Sequence, residues 1–247
     1  MSQVSSSGLI DRSFPQRSLI WAGGGFASAL LGYEGLGPLL PLVGALAIVP
    51  WLVALRNAGW IESIVGSVFI GLANGFAVGA WVPEALETLG ARANDGLIGW
   101  SVAVLWIKGL PFGVLGLWIR ATRALPHAIW LLLVGAGFLV IDAGISAWAW
   151  GVPWGLLGHS QLDSPGVAQL AVVGGVPLIS AMLGALAAAY ALVLGSRVRA
   201  DAHRALALTA GWFALALLGM PLSQALRPAA SGTRARASAG SHPPVHR

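Results

Sequence analysis

Residues 128–147 read AIWLLLVGAGFLVIDAGISA, and Asp142 is the one charged residue in this run. A helix needs about 20 mostly apolar residues to cross the hydrocarbon core of a bilayer, so the run predicts a transmembrane helix. Similar apolar runs recur along the chain, and the first of them is short and interrupted by glycines. The other runs are residues 19–31, 39–55, 60–82, 97–119, 167–194 and 204–222. Together they predict an all-α fold, a polytopic membrane helix bundle of about seven transmembrane helices.

The composition also favours a membrane protein. Hydrophobic residues make up 57% of the 247 residues and charged residues 9%, whereas soluble globular chains carry roughly 25% charged residues. The runs divide the chain into a cytoplasmic N-terminal segment (1–18), a transmembrane helical domain (19–222) and a C-terminal tail (223–247). The tail is rich in Ala, Ser, Arg, Pro and His without an apolar period, which predicts disorder.

Basic side chains predict the orientation, because lysine and arginine are enriched in the cytoplasmic loops of membrane proteins. With the N-terminus in the cytoplasm, the outside loops hold only Arg92, and seven spans place the arginine-rich tail outside, against the pattern. The inside segments hold Arg12, Arg17, Arg56, Arg120, Arg123, Arg197, Arg199 and Arg204. The alternative, a signal peptide at residues 19–31, is disfavoured because the flanking runs are equally hydrophobic.

The chain has no cysteine. This excludes disulfides, zinc–thiolate and iron–sulfur sites, and a thiolate nucleophile within these residues. His242 and His246 are four residues apart, but the two prolines between them prevent the helix that would align them on a metal ion. The sequence also lacks a phosphate-binding loop, a nucleophile elbow and a HExxH pair, and it lacks the basic stripe that binds nucleic acid. We therefore expect no cofactor, no metal ion and no nucleic-acid partner.

Three glycines recur at every fourth residue of the run 60–82: Gly71, Gly75 and Gly79. A stripe of small residues lets a neighbouring helix approach closely, so we expect these glycines to form a helix-packing face. The alternative is a groove for a lipid acyl chain, since the missing side chains also leave room for a hydrocarbon tail.

Three polar side chains lie within the predicted spans: Asn74, Lys108 and Asp142. Ionisable groups at membrane depth usually face the interior of a bundle and pair with one another, and the apolar stem of a lysine extends its reach. We therefore expect a structural ion pair between Lys108 and Asp142. A proton or substrate relay normally recruits more intramembrane carboxylates, which disfavours a secondary transporter.

The segment between the fifth and sixth predicted spans reads VPWGLLGHSQLDSP, residues 152–165. It resembles a loop of apolipoprotein N-acyltransferase, the bacterial inner-membrane enzyme that completes lipoprotein maturation. That family typically has phenylalanine, PW, a short spacer and GYSQ, followed by a proline and a hydrophobic helix. Val152 and His159 replace the family's aromatic residues, and the LRG that follows the acidic residue at Asp142 is absent. The chain keeps Pro153, Trp154, Gly158, Ser160, Gln161 and Pro165.

The resemblance covers residues 19–222 and implies a bacterial inner-membrane protein that docks phospholipid acyl chains and a lipoprotein anchor. The alternative is a rigid loop without a ligand, in which proline fixes the backbone, tryptophan anchors at the interface, and Ser and Gln satisfy backbone groups. The residues that the resemblance assigns to a lipid- or partner-facing loop are Pro153, Trp154, Gly158, His159, Ser160 and Gln161.

In the family, a nitrilase-fold domain with a Glu, Lys and Cys triad follows the seventh helix, and its thiolate carries the acyl group. The present sequence contains nothing of that domain, and the thioester cannot form on a chain without cysteine. We therefore expect the membrane-embedded part of an acyltransferase-like system that is not catalytic alone, with a separately encoded nitrilase-fold subunit as its partner. The alternatives are a non-catalytic accessory or assembly subunit of a multi-protein membrane complex, and an inactive relic.

Overall fold

The computed structural model describes residues 40–147, 155–161 and 164–195, together with residues 203, 207–211 and 214. This part of the chain contains helices and turns and no strand, which confirms the all-α prediction. A π-helical turn, Leu105–Gly109, joins α4 to α5, and a 3-10 helix, Leu157–Gln161, precedes α7. The α-helices are α1 (Leu40–Asn57), α2 (Trp60–Val78), α3 (Val82–Thr88), α4 (Ala93–Val104), α5 (Leu110–Thr122), α6 (His127–Ala147), α7 (Pro165–Ala168) and α8 (Ala171–Gly195).

Four of these helical segments are long and apolar enough to cross a bilayer, and a shorter apolar helix covers Ala45–Asn57. The membrane helix bundle that the sequence predicts is therefore confirmed. The number of seven spans stays a prediction, because residues 19–31 and most of 204–222 lie outside the described residues, as do the segments 1–18 and 223–247. The four segments are Trp60–Val78, Asn94–Thr122, His127–Ala147 and Ala171–Leu194.

The helices pack into a bundle with α8 against α6 and α1, and α2 against α5 and the π-helical turn. Trp51, Phe112 and Phe138 meet in the core, where Phe138 lies edge-on to the other two rings with centroid distances of 6.2 and 6.5 Å. Such edge-to-face contacts stabilise an aromatic cluster beyond the burial of its area. Large apolar side chains remain open on the outer faces, among them Leu132 and Val172, as expected for a surface in contact with lipid.

The bundle has two chemically different ends. The first, which we call the arginine end, holds the turn between α1 and α2 and the connection from α5 to α6. The second, the loop end, holds α3, the start of α4, the end of α6 and residues 155–161. At the loop end α8 is kinked, since Gly174 and Gly175 have non-helical backbone angles and Pro177 follows them. The kink opens α8 where residues 155–161 pack against it.

Candidate functional site

The described part of the loop motif, residues 155–161, is called the motif loop below. Gly155 has a φ of +67°, in the left-handed region that favours glycine. A Cβ atom on Gly155 would also lie 2.7 Å from the side chain of Val78 on α2. Gly158 is buried, and a Cβ atom there would lie 2.5 Å from the carbonyl oxygen of Val176 on α8. Glycine at both positions lets the loop backbone lie directly against the bundle.

Lys108 reaches the motif loop from the π-helical turn. Its side chain is only 4% exposed, and its Nζ donates a hydrogen bond of 3.1 Å to the carbonyl oxygen of Gly155. In this turn the N–H of Leu110 donates to the carbonyl of Leu105, five residues back, which inserts one extra residue into the helix. Since Pro111 has no N–H to donate, the regular α-helical pattern is already weakened at this point. Lys108 lies within this widened turn.

Asp142 and Ser180 hold the same loop from the other side. Asp142 on α6 is 2% exposed, and its carboxylate accepts hydrogen bonds from the Ser180 hydroxyl on α8 and from the backbone N–H of Leu157. The Ser180 Oγ in turn accepts a hydrogen bond of 2.7 Å from the N–H of Gly158. Lys108 and Asp142 attract each other electrostatically, and both are hydrogen-bonded to the loop backbone.

We call Lys108, Asp142 and Ser180 the polar clamp. They come from three different helical segments and hold three backbone groups of the motif loop. Buried backbone groups need partners, because an unpaired one costs free energy comparable to a lost hydrogen bond. The clamp therefore fixes the position of the loop on the bundle.

The side chains of the motif loop divide into an internal and an accessible set. Gln161 is fully buried, and its Nε2 donates 2.9 Å to Ser160 Oγ, which itself donates 2.8 Å to the carbonyl of Leu157. His159 is half-buried, and burial lowers the pKa of its imidazole, with a further lowering by the positive charge of Lys108. His159 is therefore neutral at pH 7 and partly accessible. The Ser160 hydroxyl donates to a carbonyl rather than to a base, an arrangement that does not activate a nucleophile.

The glycine stripe of α2 faces the span that carries Lys108. A Cβ atom on Gly71 would collide with the backbone carbonyl of Lys108, and one on Gly75 would lie 2.5 Å from the side chain of Val104. A Cβ atom on Gly79 would collide with the ring of Trp100. The three glycines thus let the Lys108 carbonyl, the Val104 side chain and the Trp100 ring lie directly against the backbone of α2.

A small pocket remains beside the stripe, with a cavity volume of about 10 Å³, which is room for about one water molecule. Asn74 is buried on the same helix, and its Oδ1 has no hydrogen-bond partner among the described residues. Pro153 and Trp154 lie outside the described residues. Within the described ranges, histidine and acidic side chains do not form a group of three that could bind a metal ion. The pocket is lined by Gly75, Val78, Gly79, Trp100, Val104, Ile107 and Lys108.

The comparisons with known proteins assign the family. A family model described as the apolipoprotein N-acyltransferase N-terminal domain matches residues 28–189, well over half of the chain. The chain belongs to the apolipoprotein N-acyltransferase family. This confirms the resemblance and its restriction to the N-terminal region of the family. The matched range contains the glycine stripe, the polar clamp and the motif loop.

One relative shows how much of a full apolipoprotein N-acyltransferase is present. The protein named apolipoprotein N-acyltransferase from Vibrio cholerae serotype O1 is 34% identical over 119 residues, covering 44% of this chain and 22% of the relative. The chain thus spans about a fifth of the length of this relative.

Two site residues have no signal in the sequence. Ser180 lies within a long apolar run and resembles many serines that bond only to their own helix, and Gly155 is one of 34 glycines. Pro177 is the one available hint, because a proline inside a helix predicts a kink with exposed backbone groups nearby. The pairing of Ser180 with Gly158, which are 22 residues apart, follows from the tertiary structure.

Proposed function

We propose that this chain is the membrane-embedded part of an apolipoprotein N-acyltransferase-like system, in which the motif loop docks phospholipid and the lipoprotein substrate. The proposal rests on the polar clamp. Buried polar side chains from three helical segments form hydrogen bonds with the backbone of one short loop and hold it in place. Buried polar groups in a membrane are costly and mark functional sites. A loop fixed in this way forms a defined surface at the membrane interface.

The acyl-transfer chemistry is assigned to groups outside these 247 residues. The sequence contains no cysteine to form a thioester, and the hydroxyl of Ser160 in the motif loop is engaged with a backbone carbonyl. Nucleophilic catalysis requires a group activated by a base or by a lowered pKa. The proposal therefore includes a partner with a nitrilase fold that supplies the nucleophile.

A cross-linking experiment on the full chain tests the docking surface. The chain is reconstituted with a phospholipid that carries a diazirine near the carboxyl end of one acyl chain, and adducts are mapped by mass spectrometry. We expect adducts on the motif loop in the wild type and their loss in Ser180→Ala. This variant leaves the Gly158 N–H and the Asp142 carboxylate short of a partner, at a cost of about 1–3 kcal/mol.

Ser146→Ala is the matched control, because the Ser146 hydroxyl bonds only to the carbonyl of Asp142 in its own helix. Both variants are compared at a temperature where circular dichroism shows them folded. Wild-type adducts that avoid the motif loop, or equal labelling of the loop in both variants, would overturn the docking proposal and favour an assembly subunit. Acyl transfer by the purified chain alone would overturn the assignment of the chemistry to a partner.

A further inference from the structure

Three arginines converge at the arginine end of the bundle, on the side opposite the motif loop. Arg120 Nε donates a hydrogen bond of 2.8 Å to the carbonyl of Ala58, and Arg123 Nη1 donates one of 2.5 Å to the carbonyl of Arg56. The two carbonyls lie where α1 ends and the turn to α2 begins, at a position where helical carbonyls have no partner of their own. We call Arg56, Arg120 and Arg123 the arginine cluster.

Two tryptophan rings fix the guanidinium groups of the cluster. The Cζ of Arg56 lies 5.7 Å from the ring centroid of Trp130, and the Cζ of Arg120 lies 4.7 Å from that of Trp60. Both distances are within the range of cation–π attraction. Trp130 is buried whereas Trp60 is half exposed, so the second ring lies at the surface of the bundle.

The cluster carries an excess of positive charge. Arg120 and Arg123 are close enough to repel each other electrostatically, and all three arginines are partly accessible. Among the described residues at this end, Glu62 is the only acidic one. Its Oε2 accepts a hydrogen bond from the N–H of Gly59. Each guanidinium has several N–H donors, and the backbone bonds of Arg120 and Arg123 described above use one on each. A bound anion would relieve the repulsion and use the remaining donors.

We propose that the arginine cluster binds the phosphate group of an anionic glycerophospholipid in the membrane leaflet at this end. Guanidinium groups match phosphate oxygens with paired, charge-assisted hydrogen bonds, and basic pockets between transmembrane helices bind anionic headgroups. A zwitterionic headgroup brings its own cation into a patch that already has excess positive charge, so an anionic lipid is favoured. Ile61 and Leu125, which are close to the cluster in the sequence, have exposed apolar side chains. These side chains are suited to contact with the lipid tails. This site is separate from the motif loop and does not depend on its function.

Lipid binding to the full chain in mild detergent tests the proposal. Native mass spectrometry measures the affinity for phosphatidylglycerol and for phosphatidylcholine with the same acyl chains. We expect the wild type to bind phosphatidylglycerol about tenfold more tightly, which corresponds to one charge-assisted hydrogen bond. Arg123→Gln and Arg120→Gln should each remove most of this preference.

Arg92→Gln is the control, because it removes the same charge from an exposed position at the loop end and should leave the preference intact. Equal binding of the two lipids by the wild type, or an equal loss in Arg92→Gln, would overturn the proposal, and the first of these results needs no variant to fold. An excess of inorganic phosphate should compete weakly. If phosphate displaced the lipid at equal concentration, the site would be one for a free anion rather than for a lipid.

Discussion

At the scale of single residues, the Ser180 hydroxyl serves two partners at once. It accepts a hydrogen bond from Gly158 and donates one to Asp142, so that one small side chain links α8, α6 and the motif loop. Hydrogen bonds of this kind are worth most where an alternative partner is absent. Lys108 completes the arrangement on the carbonyl of Gly155.

His159 makes the stability of the motif loop depend on pH. Its folded-state pKa is lowered from 6.5 by burial and by Lys108, so the unfolded loop binds more protons once the pH falls below about 6.5. Stability therefore rises with pH in the window below 6.5 and is fully present above it. We expect hydrogen exchange of the loop amides to accelerate as the pH is lowered from about 7 to about 5, after correction for the intrinsic exchange rate.

His159→Gln is the control for this pH effect. Glutamine keeps hydrogen-bonding capacity without titrating in this range. The variant should show a flat corrected exchange rate across the same window. An identical pH dependence in wild type and variant would assign the effect to another group.

At the scale of elements, the glycines of α2 let the span that carries Lys108 lie directly against the backbone of α2. Gly71 faces the Lys108 carbonyl and Gly75 faces Val104. The contact positions the π-helical turn, and through it the lysine that binds Gly155. Two irregularities, the π-helical turn and the kink at Gly174 and Gly175, thus lie where the helices supply partners to the motif loop.

Gly71→Ala should destabilise the bundle by about 1–3 kcal/mol, because the added methyl group collides with the Lys108 carbonyl and the backbone must move. Gly99→Ala is the matched control, since a Cβ atom on Gly99 has no atom within 4 Å. In a helix interior this second change is neutral or stabilising by up to about 1 kcal/mol. Unfolding by denaturing detergent, followed by circular dichroism, measures both. Equal stability of the two variants would show that α2 does not depend on this close approach.

At the scale of the whole molecule, the two ends of the bundle carry different chemistry. The loop end presents a fixed loop with a neutral histidine, and the arginine end presents excess positive charge. The positive-inside pattern predicts that the arginine end faces the cytoplasm, which would place the motif loop on the opposite side of the membrane.

Single cysteines test this orientation, because the chain has none of its own. Asn57→Cys lies at the arginine end and Leu89→Cys at the loop end, and both positions are exposed. In intact cells stripped of their outer membrane, a membrane-impermeant maleimide should label the cysteine at position 89. The cysteine at position 57 should react only after the membrane is permeabilised. The reverse pattern would contradict the predicted orientation.

The sequence by itself determined that the chain is a membrane protein and that its fold is all-α. Long apolar runs need no tertiary information to predict transmembrane helices, because each helix satisfies its own backbone hydrogen bonds. The runs between residues 39 and 194 correspond to helices with ends shifted by a few residues, and the motif at residues 152–165 indicated the family that the comparisons confirmed. The short helix α3 and the π-helical turn were not predicted, since their patterns are too brief to stand out from the flanking runs.

Only the tertiary structure decided which polar groups meet. Lys108, Asp142 and Ser180 lie on three segments of the chain, and a periodic pattern states which face of each helix is apolar without stating which neighbour it contacts. The ion pair between Lys108 and Asp142 was predicted from the depth of the two residues in the membrane. In the structure, both side chains form hydrogen bonds with the backbone of the motif loop. In the sequence, the arginines at the other end likewise indicated only the orientation of the chain in the membrane. Their convergence on two carbonyls and two tryptophan rings arises because helix packing brings together residues 60 or more positions apart.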